Sequence, residues 1–494
     1  MSENQGDPRH LETLDRDLAR FSNLEAATSM VGRPMVGMGV SFVFVILAGL
    51  AAMLFFGEAN NTLIVVIAAC LGAYMALNIG ANDVANNMGP AVGANALSMG
   101  GAIAIAVVFE SAGALIAGGD VVSTIAKGII EPERMGTADV FVWAMMSALL
   151  SAALWVNLAT WVGAPVSTTH SVVGGVMGAG IAAAGFSAVS WGTMSSIAAS
   201  WVISPVLGGA IAAFFLFIIK SRIIYQDDKI AAARKWVPVL VGLMAGTFGA
   251  YLALKGLKKI IKIDMPTALL IGLLIAVVVW LIMIPVIKKQ SEGLENRNKS
   301  LKVLFGIPLV VSAAMLSFAH GANDVANAVG PLAAIVQVSQ SGDFTSAFSI
   351  PFWVMVIGAF GISFGLFLFG PKLIRMVGGQ ITKLNPMRAY CVALSAAITV
   401  IVASWLGLPV SSTHIAVGAV FGVGFFREWD AERRIRKARM ALPDRPQYAP
   451  EERRRRKLVR RSHFMTIIAA WVITVPAAAL LSGLLFFLIN SFMG

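Results

Sequence analysis

Gly80–Pro90 reads GANDVANNMGP and Gly321–Pro331 reads GANDVANAVGP, so one eleven-residue string recurs 241 residues further on with two mismatches. The chain contains an internal repeat. Each copy follows apolar sequence, LIVVIAACLGAYMALNI in the first and LFGIPLVVSAAMLSFAH in the second. Asp83 and Asp324 therefore read as intramembrane carboxylates. A carboxylate at the centre of a bilayer costs about 2.5 kcal/mol or more, and it is kept where it lines a pathway or a binding site. A buried structural charge tied to a neighbouring helix is the plainer reading, but it gives no reason for the duplication.

Working outward, the 494 residues are 57% apolar and only 13% charged, and the mean hydropathy is +0.79. That composition indicates a polytopic membrane protein, not a soluble domain with a large core. The net charge of +12 does not call for nucleic acid, because the basic residues sit in short loops between apolar runs, as the positive-inside rule requires. Cys70 and Cys391 form neither a metal motif nor a disulfide framework. The mixed-charge segment 1–36 is too long and polar for a signal-peptide leader, so Val36–Phe56 reads as a retained span.

A span needs about 20 apolar residues. That rule gives thirteen elements, near 37–57, 63–88, 94–118, 139–163, 166–185, 192–219, 237–256, 266–287, 303–328, 350–370, 387–408, 410–426 and 464–492. The loop from Arg427 to Ser462 carries fourteen Lys or Arg against six Asp or Glu, which places it in the cytoplasm. Counting back puts the basic loops 220–236, 288–302 and 371–388 inside and the near-neutral loop 119–138 outside. Lys255–Asp264, with four Lys, also lands outside, against the rule. The N-terminus is then cytoplasmic and the C-terminus external, and the two GANDVAN copies cross in opposite directions.

The expected fold is therefore an all-α polytopic membrane protein, an inverted-repeat secondary transporter with two broken or re-entrant helix elements. Segment 1–36 is a cytoplasmic leader and 37–57 an extra transmembrane helix. Repeat 1 spans 63–219, and 220–302 supplies connecting loops and a helix pair. Repeat 2 spans 303–426, followed by the basic loop 427–462 and its last helix in 463–494.

A second motif is duplicated as well. Pro165–His170 reads PVSTTH and Pro409–His414 reads PVSSTH, each opening a Gly-rich helix. Proline suits the first turn of a helix, and the N–H groups and hydroxyls that follow make an anion site. Two such termini would surround a tetrahedral oxyanion with neutral donors. In the GANDVAN copies Asn82, Asp83 and Asn86, and likewise Asn323, Asp324 and Asn327, share a face if the backbone stays helical. Their oxygens are hard ligands suited to sodium, with backbone carbonyls added if the helix unwinds at Gly80 or Gly321. Two aspartates beside a divalent anion repel it at low dielectric, so cations or protons must enter with it. Charge balance thus favours symport, and the duplicated amides favour sodium over protons.

With these four motif copies in order, the sequence resembles the inorganic phosphate transporter (PiT) family from about Leu63 to Phe426 and in the last span. The resemblance implies phosphate uptake across the cytoplasmic membrane driven by sodium or protons, no enzymatic activity, no cofactor, and a homodimer in membrane lipid. It implies that Asp83 and Asp324 with Asn82, Asn86, Asn323 and Asn327 bind cation and phosphate. Ser167, Thr168, Thr169, Ser411, Ser412 and Thr413 would hold phosphate. Glu110, in VFESAGAL, matches an intramembrane glutamate of the family that is linked to transport. Animal members carry a second glutamate ahead of PVSSTH, whereas Tyr390–Ser404 here contains no carboxylate, so animal ion stoichiometry does not transfer.

Single residues have plainer readings. Membrane Ser and Thr often bond backbone. His170 and His414 either take part in coupling or cap their turns. His320, whose place in the other copy is taken by Ile79, reads as structural, Lys127 as a snorkelling side chain, and Arg453–Arg461 as an anchor on anionic lipid. The rival functions are a sulfate or other tetrahedral-anion symporter, a channel, and a membrane hydrolase, the last without GxSxG or HExxH.

Overall fold

The computed structural model describes residues 35–57, 61–162, 166–256, 263–342, 348–376, 384–441 and 461–493. The leader 1–34, Pro165, the lysine-rich segment 257–262, 377–383 and the centre of the basic loop, 442–460, lie outside the described residues. Apolar runs in a bilayer must bond their own backbone, and a helix does so within one segment. The described chain accordingly is helical, with one isolated antiparallel bridge between Ile130 and Val189. Among the described residues, eleven helices are long and apolar enough to cross a membrane. The segments after PVSTTH and PVSSTH are helical but are not among those eleven.

Helix α1 is Met35–Phe56. The first repeat comprises α2 (Thr62–Asn82), α3 (Val84–Gly93), α4 (Met99–Ala117), α5 (Ala138–Val162), α6 (Thr168–Ala184) and α7 (Trp191–Ile219). A helix pair follows, α8 (Lys229–Lys255) and α9 (Met265–Gln290). The second repeat comprises α10 (Gly306–Asp324), α11 (Ala326–Ser341), α12 (Phe352–Met376), α13 (Pro386–Trp405), α14 (Ser412–Ala441) and α15 (Arg461–Met493). The helix after PVSSTH runs well past residue 426, and α8 starts eight residues before the expected 237. Both extensions are polar turns that carry an apolar helix out of the membrane, where a hydropathy rule stops counting.

The repeats are bound to each other by two matching crossings. At α2 against α12, a Cβ on Gly80 would strike the carbonyl oxygen of Ile362, and one on Gly365 that of Leu77. At α10 against α4, a Cβ on Gly321 would strike the carbonyl of Glu110, and one on Gly113 that of Phe318. Exchanging the repeats converts one crossing into the other. Small residues allow such backbone approach in membrane helices, where packing replaces the hydrophobic drive. This corrects one conditional expectation: the chain is not unwound at Gly80 or Gly321, which lie within α2 and α10. The helices are interrupted at Asp83 and Val325, both still in the right-handed helical region with φ −91°, ψ −32° and φ −55°, ψ −31°. No stretch of freed carbonyls results.

Polar contacts sort the loops onto two ends. At one, Asp430 accepts from Lys220 at 2.7 Å and from Tyr225, Arg434 stacks on Tyr225, and Asn296 bonds the backbone of Asp227 and Lys229. At the other, Lys255 pairs with Asp120, and Thr124 donates to the Gly407 carbonyl at 2.7 Å. The loop 119–138 therefore shares an end with Lys255, and the basic loops 220–236 and 288–302 share the opposite end with the start of 427–462. Of the four lysines that contradict the charge rule, Lys255 has its charge met by Asp120.

Candidate functional site

Both serine–threonine turns end inside the protein, against the interruptions of the GANDVAN helices. Ser167 and Ser411 are helix N-caps: Ser167 Oγ accepts from the His170 N–H at 3.2 Å and Ser411 Oγ from the His414 N–H at 3.3 Å. A capping hydroxyl satisfies one of the free N–H groups of a first turn. Asn82 and Asn323 hold the same turns from outside. Asn82 Nδ2 donates to the Val166 carbonyl at 3.2 Å, and Asn323 donates to Leu408 O and Ser404 Oγ while accepting from the Val410 N–H. These four side chains build the frame.

The remaining motif residues converge. Asp83 and Asp324 are 2% and 1% exposed, although each is a carboxylate. Thr168 donates to Asp83 Oδ2 at 2.6 Å and Ser412 to Asp324 Oδ2 at 3.2 Å, matching bonds in the two repeats. Thr413 crosses over and donates to Asp83 Oδ1 at 3.1 Å. Its counterpart Thr169 donates instead to the Val410 carbonyl at 3.0 Å. Amides from each repeat serve hydroxyls of the other. Asn86 donates to Thr413 Oγ1 at 2.9 Å, and Asn327 to Thr168 and Thr169 at 3.2 and 3.1 Å. Asp324 Oδ1 and Asn327 Oδ1 are buried acceptors that no donor among the described residues reaches.

His170 and His414 stand back to back behind the turns, with ring centroids 4.4 Å apart and nearly perpendicular, and His170 lies 3.9 Å from the ring of Trp201. Trp201 Nε1 donates to the Pro409 carbonyl at 3.0 Å and so ties helix α7 to the opposite turn.

His320 stands between two buried carboxylates. Its Nδ1 is 2.6 Å from Glu110 Oε2, and its Nε2 is 2.9 Å from Asp324 Oδ2, within ion-pair range though off the line of a hydrogen bond. Asn87 donates to Glu110 Oε1 at 2.8 Å. Glu110 thus reaches the centre through His320. The available signal was spacing, since His320 precedes Asp324 by one helical turn, but only the α4–α10 crossing brings Glu110 to it. Asp83, His320 and Asp324 present ligand atoms within 4.8 Å of one another. Ion pairs made by Lys and Arg among the described residues involve Asp120, Glu131, Glu295 and Asp430, all outside this centre. Lys127 lies over the Phe348 ring, away from it.

A centre with buried carboxylates, neutral hydroxyl and amide donors and uncommitted acceptor oxygens can hold an oxyanion and cations together. Comparison with known proteins gives the family. A family model described as the phosphate transporter family matches residues 79–482. A protein of Helicobacter pylori (strain 26695) named "Putative phosphate permease" is 45% identical over 95% of this chain and 98% of its own length. "Inorganic phosphate transporter 2-1, chloroplastic" of Arabidopsis thaliana is 36% identical over 83% of this chain and 70% of its own. The solved structure of a sodium-dependent phosphate transporter superposes with a TM-score of 0.78 at 34% identity, covering 87% of this chain and 100% of that one. The match extends through both GANDVAN copies and both serine–threonine turns, and the chain belongs to the phosphate transporter family.

Proposed function

We propose that this protein is a secondary active symporter that imports inorganic phosphate across the cytoplasmic membrane with a coupling cation, sodium ahead of the proton. The observation that carries the sodium reading is the pair of buried acceptors Asp324 Oδ1 and Asn327 Oδ1. Buried polar atoms are almost always partnered, and two oxygen acceptors without donors suit a hard cation. Phosphate takes the neutral donors Thr168, Thr169, Ser412 and Thr413, which in this arrangement bond the aspartates and backbone. Anion binding therefore requires those hydroxyls to turn from the carboxylates to phosphate. Cations neutralise Asp83 and Asp324 as they do so, which couples the two events. Ser167, Ser411, Asn82 and Asn323 act through the turn backbone, and His170 and His414 hold the two turns together.

Monohydrogen phosphate can donate its proton to a carboxylate, whereas sulfate has none, so two retained aspartates favour phosphate. No cofactor enters this reading, and the protein works as a homodimer in lipid with its N-terminus cytoplasmic and its C-terminus external.

Phosphate uptake into proteoliposomes under an imposed sodium or proton gradient tests it. A sodium gradient should drive accumulation, and Asn86→Ala and Asn327→Ala should weaken the sodium dependence at fixed pH, Asn327→Ala more strongly. Uptake indifferent to sodium that follows a pH gradient would replace sodium by protons.

A further inference from the structure

The two halves of the centre are not equal, and the inequality is written in a set of polar residues present on one side only. Around Asp324 stand His320, Glu110 and Asn87, linked as described. Exchanging the repeats carries Gly321 and its contact Glu110 onto Gly80 and its contact Ile362. His320 and Asn87 then map, at the repeat spacing of 241, onto Ile79 and Ala328. Around Asp83 the equivalent positions are thus apolar. The aspartates differ accordingly. Both oxygens of Asp83 are bonded, by Thr168 and Thr413. Asp324 Oδ2 is engaged by His320 and Ser412, whereas Asp324 Oδ1, like Asn327 Oδ1, is reached by no donor among the described residues.

We infer that Glu110 and His320 are positioning residues that hold Asp324 by one oxygen and present the other to the coupling cation, so that the Asp324–Asn327 side governs cation affinity and its pseudo-symmetric mate at Asp83 does not. The inference rests on the sodium-symport reading. Its logic is that of an outer partner that orients a ligand: His320 fixes the rotamer of Asp324, and Glu110, itself fixed by Asn87, fixes the ring of His320. On the Asp83 side hydroxyl donors occupy both oxygens, and a cation must displace them before it binds.

The test is the sodium half-saturation of phosphate uptake in proteoliposomes at fixed pH, measured beside the phosphate KM at saturating sodium. The double variant Glu110→Ile/His320→Ile installs the residues of the mirror crossing and removes both members of the Glu110–His320 pair together. Losing an outer-shell partner should raise the sodium half-saturation about tenfold or more, with the phosphate KM at saturating sodium unchanged. His320→Asn is a milder second variant. Its amide can replace Nδ1 toward Glu110 but does not reach Asp324, and it should raise the half-saturation as well. A purely structural role would lower the maximal rate of each variant and leave half-saturation in place. That result, in a wild type that depends on sodium, overturns the inference alone. A wild type indifferent to sodium removes the coupling reading, and the inference with it.

Discussion

Thr413 donates a hydrogen bond to Asp83 across 330 residues of chain, Oγ1 to Oδ1 at 3.1 Å. It joins the serine–threonine turn of the second repeat to the GANDVAN helix of the first. The equivalent threonine, Thr169, points its hydroxyl at the Val410 carbonyl instead. The centre is therefore a shared product of both repeats, and a residue on either side acts on both.

Asp83→Asn and Asp324→Asn should each reduce coupled phosphate uptake to background while the protein still inserts and elutes as a folded species. An amide keeps the shape but removes the charge that must be balanced by the cation, and it places an N–H where Thr168 or Ser412 donates. Uptake in proteoliposomes decides it, and wild-type rates in either folded variant would remove the carboxylates from the mechanism.

Gly80→Ala and Gly321→Ala should destabilise the protein by about 1–3 kcal/mol or more, because the new methyl meets a backbone carbonyl on the crossing helix that has no rotamer to yield. A Cβ at Gly100 meets nothing within 4 Å, so Gly100→Ala serves as the neutral control. Thermal unfolding in detergent reads all three. Equal midpoints would show that the crossings tolerate separation.

A single cysteine placed between Ala441 and Ala449, in a background lacking Cys70 and Cys391, should be labelled only from the cytoplasm. One at Gly494 should be labelled only from outside. Labelling of both from one face would contradict opposite crossing of the two repeats.

At the end bearing Lys220, partial burial pushes the Asp430 carboxyl up, but hydrogen bonds from Lys220 and Tyr225 and the lysine charge outweigh it and hold the group below the ordinary carboxylate value. The Tyr225 phenol is pushed up to about 12, first by burial and then by Asp430, so it remains a donor at neutral pH. A depressed carboxyl contributes stability above the unfolded value, about 3.9, and loses it as pH falls through the folded value. Asp430→Asn should cost about 1 kcal/mol at pH 7, and the gap between variant and wild type should close on acidification below pH ~4. Unfolding midpoints across pH 3–7 give the answer.

Much of this was legible in the chain itself. The duplicated GANDVAN strings, the duplicated PVS turns and the apolar runs around them are local patterns, and they led to a membrane transporter with Asp83 and Asp324 at its centre. Helix ends at Lys229 and Ala441 were not, because amphiphilic turns beyond the bilayer carry no hydropathy signal. The division of labour within the motifs was also hidden. Ser167 and Asn82 look as suited to a ligand as Thr168 and Asn86, and only their partners show that the first two hold the turn.

By itself the sequence determined the membrane class, the repeat and the residue types of the site, because hydrophobic length, periodicity and duplication are properties of short windows of chain. The tertiary structure alone decided which of those residues meet. Glycine crossings bring Glu110 of one repeat onto His320 of the other, and Thr413 rather than Thr169 reaches an aspartate. Such choices depend on how two backbones can approach in three dimensions, where a missing Cβ sets the distance and a single carbonyl competes for a hydroxyl, and no local pattern of residues encodes the outcome.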